Sequence, residues 1–173
     1  RMVQLDNMTG GRAIFGSGPG ALASDAHTLG IDPMTQRDRQ DEAIAIIRRL
    51  FNGERVTAKS DWFTMNDAAL QILPLQEEMP FVVASQISPS GMTLAGKYGI
   101  GIISLGSMST QGLMALPTQW GFAEDAAKKA GTTVSRANWR VLLSWHIAET
   151  REQAQREAGP GLMRWHNEYN VRT

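Results

Sequence analysis

The chain contains no cysteine, which removes disulfides, thiolate nucleophiles and every cysteine-based metal site. It has no net charge either. Seventeen Lys and Arg balance seventeen Asp and Glu, so no field gathers phosphate backbones or anionic lipid, and a nucleic-acid role is disfavoured. No apolar run is long enough to span a bilayer, which sets a membrane role aside. The three histidines, His27, His146 and His166, are scattered without a His-x-x-x-His pair, so no metal is expected. Arg1-Met2-Val3-Gln4-Leu5-Asp6 has neither an initiator Met at position 1 nor the basic-then-apolar layout of a signal peptide. The start therefore reads as a cut inside a larger chain, and the expected setting is reducing and cytoplasmic.

What is present fits one soluble globular domain over residues 1–173, 42% hydrophobic and 20% charged, with no repeat or low-complexity tract. Apolar clusters bounded by Gly, Pro or polar residues predict strands near 13–17, 81–85, 101–105 and 139–147. Ala43, Ile46, Ile47 and Leu50 at i, i+3, i+4 and i+7 predict a helix that stops at Asn52-Gly53. A second helix should open at Ser88-Pro89, with serine as cap, and run to Tyr98. A third should follow Pro117 and end at Gly131; a fourth should open at Thr150, with Gln153 at capping-box spacing, and break at Gly159-Pro160-Gly161. Strand and helix alternate, which is the order of parallel βαβ units. Arg55 to Met65 interrupts it as a β-hairpin. Four such units leave the sheet open or half a barrel missing, since a complete barrel takes roughly 250 residues.

The most informative segment is Ser85-Gln86-Ile87-Ser88-Pro89-Ser90-Gly91-Met92, where a buried strand gives way to a helix. Free amides of Ser90, Gly91 and Met92, the positive helix end and two hydroxyls could seat a phosphate, with glycine admitting it close to the backbone. The same residues also suit an ordinary helix cap. Gly16-Ser17-Gly18-Pro19-Gly20-Ala21 satisfies G-x-G-x-x-G/A, yet Ala21 to Pro33 lacks a helical apolar stripe, so this reads as a loop beside a pocket or a plain tight turn. Arg37 and Arg39 stand at a helix start, where a cation is disfavoured unless an anion lies near. Asp25 and His27 are the acid and imidazole that fall together near the expected site face. His146 alternates with apolar residues in the last strand pattern and should point inward, while Met108 and Met114 could form a flexible apolar wall.

Leu5 to Gly16, Asp25 to Asp32, the hairpin stretch with Asp61-Trp62-Phe63 and Leu73-Pro74-Leu75-Gln76, and Ala84 to Gly101 with Ser88-Pro89-Ser90-Gly91 and Gly96-Lys97-Tyr98-Gly99 together resemble the bacterial luciferase-like flavin monooxygenases. Their wording is most like the limonene monooxygenase subgroup. The resemblance implies an α/β fold, a partial TIM (β/α)8 barrel of about four βα units, fourth strand to seventh helix, so that 1–173 is an internal fragment. It further implies that reduced FMN lies across the barrel mouth, its phosphate held by Ser85, Ser88, Ser90, Gly91, Met92 and Arg37, with Ser17 and Gly18 bordering the flavin. Asp25 matches an acidic residue that influences flavin binding in luciferases; His27 departs from the basic residue found there, and the two stand as the catalytic candidates. The implied reaction uses reduced FMN and O2 to oxidise a small apolar substrate, a terpene such as limonene or an aldehyde. A separate flavin reductase and a homodimer at full length are implied partners. The rival readings are a deazaflavin-dependent hydride-transfer enzyme of the same barrel and an inactive half-barrel or non-catalytic FMN-binding subunit. Neither the substrate nor a catalytic base is named by these residues.

Overall fold

Phe81-Val82-Val83-Ala84-Ser85 is apolar on both faces, as a strand covered on both sides must be. In the computed structural model, which describes residues 1–105 and 110–170, it forms a central strand. In chain order the elements are α1 (Met2–Met8), β1 (Phe15–Ser17), α2 (Ala23–Thr28), α3 (Gln36–Phe51), β2 (Val56–Lys59), β3 (Thr64–Ala68), β4 (Phe81–Ser85), α4 (Ser90–Tyr98), β5 (Gly101–Ser104), α5 (Thr110–Ala130), β6 (Trp139–Val141) and α6 (Arg151–Arg164). Strands β1, β4, β5 and β6 pair in that order, and every pairing is parallel. The four expected strands are thus adjacent and parallel, joined by helical crossovers that a parallel sheet requires. β2 and β3 form the expected antiparallel hairpin, with a bulge between Val56 and Ala58. It is tied to α3 where Trp62 Nε1 donates to Glu42 at 2.8 Å.

The core lies between the sheet and its helices. Ile44 of α3, Val83 of β4, Met92 and Ala95 of α4, Ile102 of β5 and Ala123 of α5 are buried together. Each buried large aliphatic side chain contributes roughly 1.5–3 kcal/mol. Phe15, Phe51 and Phe81 pack ring on ring at 4.6–6.4 Å. α4 and α5 approach so closely that a Cβ on Gly96 would sit 2.3 Å from the Ala123 carbonyl. α4 ends at Gly99, whose φ of +64° is the left-handed cap geometry glycine tolerates.

Several expectations are corrected. The stretch read as loop after β1 contains α2, a helix of six residues too short to show an apolar stripe. α1 has no counterpart in the sequence reading; it exists because Asp6, fully buried, accepts hydrogen bonds from the amides of Ala13, Leu75 and Gln76 and from the Gln76 carboxamide. In α3 the deepest residues are Gln40 and Ile44, so the buried stripe is rotated from the one expected on Ala43, Ile46, Ile47 and Leu50, which are only half-buried. α5 starts at Thr110 and carries Pro117 in its interior. The lost amide is offset by packing of Trp120, Ala123, Ala126 and Ala127, and the Thr118 hydroxyl donates to the Ala115 carbonyl at 2.9 Å. α6 continues through Gly159-Pro160-Gly161 to Arg164 and carries Pro160 in its interior. The last strand stops at Val141, and Trp145 and Ile147 beyond it are about three-quarters exposed. Among the described residues no helix is long and apolar enough to cross a membrane.

Candidate functional site

β1, β4 and β5 end side by side, and their C-terminal ends surround a cavity of about 470 Å³, within the usual range for small-molecule pockets. Gly18 follows β1, Ala84 and Gln86 mark the end of β4, Ser88 and Ser90 form the turn into α4, Leu105 follows β5, and Arg37 reaches in from α3. None of the described residues lining it is acidic. A larger opening of about 820 Å³ lies at the opposite, N-terminal ends of the strands, lined by Arg48, Glu77, Glu78 and Arg140 among others. Its mixed charge and its place at that face argue for the smaller cavity as the site, since parallel α/β folds bind ligands beyond the carboxyl ends of their strands.

The donors around the smaller cavity come from one junction. In α4 the first intrahelical bond runs from Thr93 N to Pro89 O, which leaves the amides of Ser90, Gly91 and Met92 without a carbonyl of their own helix. Ser88 does not cap the helix as expected. Its Oγ lies 3.0 Å from Ser90 Oγ instead, and Pro89 takes the cap position without a side-chain bond. Arg37 is exposed and forms no ion pair among the described residues, whereas Arg39 lies 3.5 Å from Asp61 and over the Trp62 ring.

Four of the candidate residues line the cavity: Gly18, Arg37, Ser88 and Ser90. Ser17 stands beside it, its hydroxyl accepting from Gln40 Nε2 at 3.1 Å. Ser85 is buried, its Oγ without a partner among the described residues, and Gly91 and Met92 are buried in the first turn of α4; none of the three lines the cavity. Glycine at 91 has a reason the sequence did not supply: a Cβ there would meet the Ala84 carbonyl at 2.3 Å, so strand β4 itself requires the missing side chain. Asp25 and His27 are exposed on α2 outside the cavity lining, and two residues apart on a helix they point to different sides. His146 turns outward, and its Nε2 lies 2.7 Å from Glu157, whose carboxyl this bond and one from Gln153 hold below its ordinary value. Met114 is exposed, and Met108 lies outside the described residues.

The sequence reading missed Gln119. It is 2% exposed in the middle of α5, and its Nε2 donates to the carbonyls of Gln86 and Ile87 in the turn that lines the cavity. A polar residue between Leu116 and Trp120 in an apolar helix face was the available signal.

Residues 1–172 match the family described as luciferase-like monooxygenase. The limonene 1,2-monooxygenase of Rhodococcus erythropolis is 48% identical over 94% of this chain and 42% of its own length. The 4-hydroxyprotoasukamycin monooxygenase of Streptomyces nodosus is 46% identical over 98% of this chain and 47% of its own. Among solved structures, the oxygenating constituent of 3,6-diketocamphane monooxygenase from Pseudomonas putida, a type II Baeyer-Villiger monooxygenase in complex with FMN, superposes with a TM-score of 0.78 at 22% identity. The superposition covers 98% of this chain and 50% of that one. A shorter match is the F420-dependent hydroxymycolic acid dehydrogenase of Mycobacterium tuberculosis, 38% identical over 54% of this chain and 26% of its own. The chain thus spans about half the length of the monooxygenases it matches.

Proposed function

The chain belongs to the luciferase-like monooxygenase family, and from that premise we propose that it forms the FMN-phosphate side of a flavin-dependent monooxygenase acting on a small apolar substrate with O2. The observation that carries this is the donor set of the 470 Å³ cavity: one unpaired arginine, two hydroxyls, an open helix start and no described acid. Such a set accepts an anion and repels none. Gly18 and the loop over Pro19, Ala21 and Leu22 offer an apolar wall against which a flat ring can lie.

On this reading the open sheet is one half of an eight-stranded barrel. Both of its edge strands lack an outer neighbour among the described residues, and the exposed Leu143, Trp145 and Ile147 suit cover by further chain. When bound, reduced FMN would supply the reaction with O2. This chain's own residues bind and orient: the turn holds the phosphate, Arg37 adds a solvent-screened attraction, and the apolar loop excludes water from one face of the ring. Asp25 and His27 are kept as candidates for flavin binding or proton transfer through the rest of the barrel, not through this cavity. A flavin reductase, a homodimer at full length and a cytoplasmic setting accompany the proposal. The F420-dependent relative keeps a deazaflavin reading alive.

The test titrates this chain with FMN and with riboflavin, which lacks the phosphate. FMN should bind more tightly, and Arg37→Ala should reduce that preference roughly threefold at low salt and less at high salt. Equal binding of the two flavins would refute the phosphate site. Tighter binding of F420 than of FMN would favour the deazaflavin reading.

A further inference from the structure

The turn between β4 and α4 is exposed, with Gln86 and Ile87 directing their side chains outward, yet it is pinned from beneath by one buried group. Gln119 Nε2 donates to both the Gln86 and the Ile87 carbonyls, the second at 3.1 Å. Gln119 Oε1 is buried without a partner among the described residues, so the side chain is held by its donors alone. α5 is a firm base for that reach, because Trp120 next to it is 4% exposed and stacks on Trp139 at 5.4 Å.

We propose that Gln119 is a positioning residue for the anion site: by holding the Gln86 and Ile87 carbonyls toward α5, it presents donors and not acceptors to the cavity. The peptide bonds are trans, and a trans unit points its N–H opposite to its C=O. With the two carbonyls drawn to Gln119, the amides of Ile87 and Ser88 are directed the other way. They add to the open amides of Ser90, Gly91 and Met92 as a concave cluster of N–H groups. Released, either carbonyl could turn its partial negative charge toward the anion. The inference rests on the phosphate reading of the cavity, and its test separates the two.

The test follows backbone amides of the whole 173-residue chain by NMR during titration with FMN and with riboflavin. Wild type should show FMN-specific shifts at Ser88 to Met92. Gln119→Met keeps length and volume but removes the donor. It should weaken FMN binding roughly tenfold and leave riboflavin binding unchanged. Gln119→Glu, buried against two carbonyls, should keep much of the FMN affinity where its carboxyl is protonated and donates, and lose it as rising pH ionises the group. A merely structural role would weaken both flavins together and show no acid rescue. If wild type does not distinguish FMN from riboflavin, the phosphate site itself fails. If wild type distinguishes them and folded Gln119→Met does so equally well, the phosphate site stands and the role of Gln119 is overturned.

Discussion

Gly91→Ala adds one methyl group at the place where α4 leaves the sheet, and the geometry gives its cost. The new Cβ would lie 2.3 Å from the Ala84 carbonyl and 2.9 Å from both Ser85 Cα and Ser85 Cβ. Ordinary contact is near 3.4 Å, so the helix start must retreat from β4 by about 1 Å, against backbone that cannot swing aside. Overpacking of this kind costs about 1–3 kcal/mol, and the upper part of the range applies because the obstacle is main chain. Alanine's better helix propensity returns up to about 1 kcal/mol, less in a first turn. The net loss is about 2 kcal/mol, a fall in Tm of about 4–8 °C for a chain of this size. Gly121→Ala supplies the control. It lies in α5 with no described atom beyond its own helix backbone within 4 Å of the added methyl, so the propensity gain is unopposed and Tm should rise by about 1–4 °C. Differential scanning calorimetry of the two variants decides the matter. If Gly91→Ala melts with wild type, or if both glycines respond alike, the account of Gly91 as a strand–helix contact is wrong.

Two further outcomes follow from other parts of the fold. Burial pushes the Asp6 carboxyl up, but the Gln76 carboxamide and the amides of Gln76, Ala13 and Leu75 outweigh it and hold the group below its ordinary 3.8. A depressed value contributes stability that is complete above 3.8 and lost as pH falls through the folded-state value, so Asp6→Asn should melt earlier than wild type at pH 7 and the two should converge in acid. A gap that persists unchanged in thermal melts below that range would remove the carboxylate from the explanation. Thr150→Ala deletes the cap that accepts from Gln153 N at 3.1 Å, which should speed amide exchange in the first turn of α6 by the equivalent of about 1 kcal/mol. Because α6 buries no residue, global melting should not move.

The parts of the fold legible in the sequence were those carried by local pattern. Phe81-Val82-Val83-Ala84 is a short apolar run between Pro80 and Ser85, and its length, flanks and β-branched content favour a buried strand. The hairpin read over Arg55 to Met65, two short strands around a polar turn, was equally plain, and its strands form between Val56 and Ala68. What the sequence hid depends on distant partners. α1 is fixed by Asp6 meeting Leu75 and Gln76 some seventy residues away, and no periodicity within Met2–Met8 announces that. Pro117 looked like a helix start because a proline usually is one; the packing of Trp120 and Ala123 against α4 overrides that preference.

The site divides along the same line. Ser88 and Ser90 were legible because a strand end followed by Ser-Pro-Ser-Gly places hydroxyls and open amides together within a few residues, a contiguous device that needs no tertiary knowledge. The helix start alone offered both Arg37 and Arg39, and the family resemblance singled out Arg37; in the structure Asp61 and Trp62 engage Arg39, and Arg37 lines the cavity. Asp25 and His27 looked paired only because proximity in sequence was taken for proximity in space; once α2 forms, a helical step of two residues separates them. Gln119 shows the converse. Its chemistry is plain in a sequence, but its target carbonyls lie more than thirty residues back, and only the close packing of α5 on α4 brings it beneath the turn. The donors of the proposed anion site can therefore be read from one short segment, while the group proposed to aim them must be found from the other side of the fold.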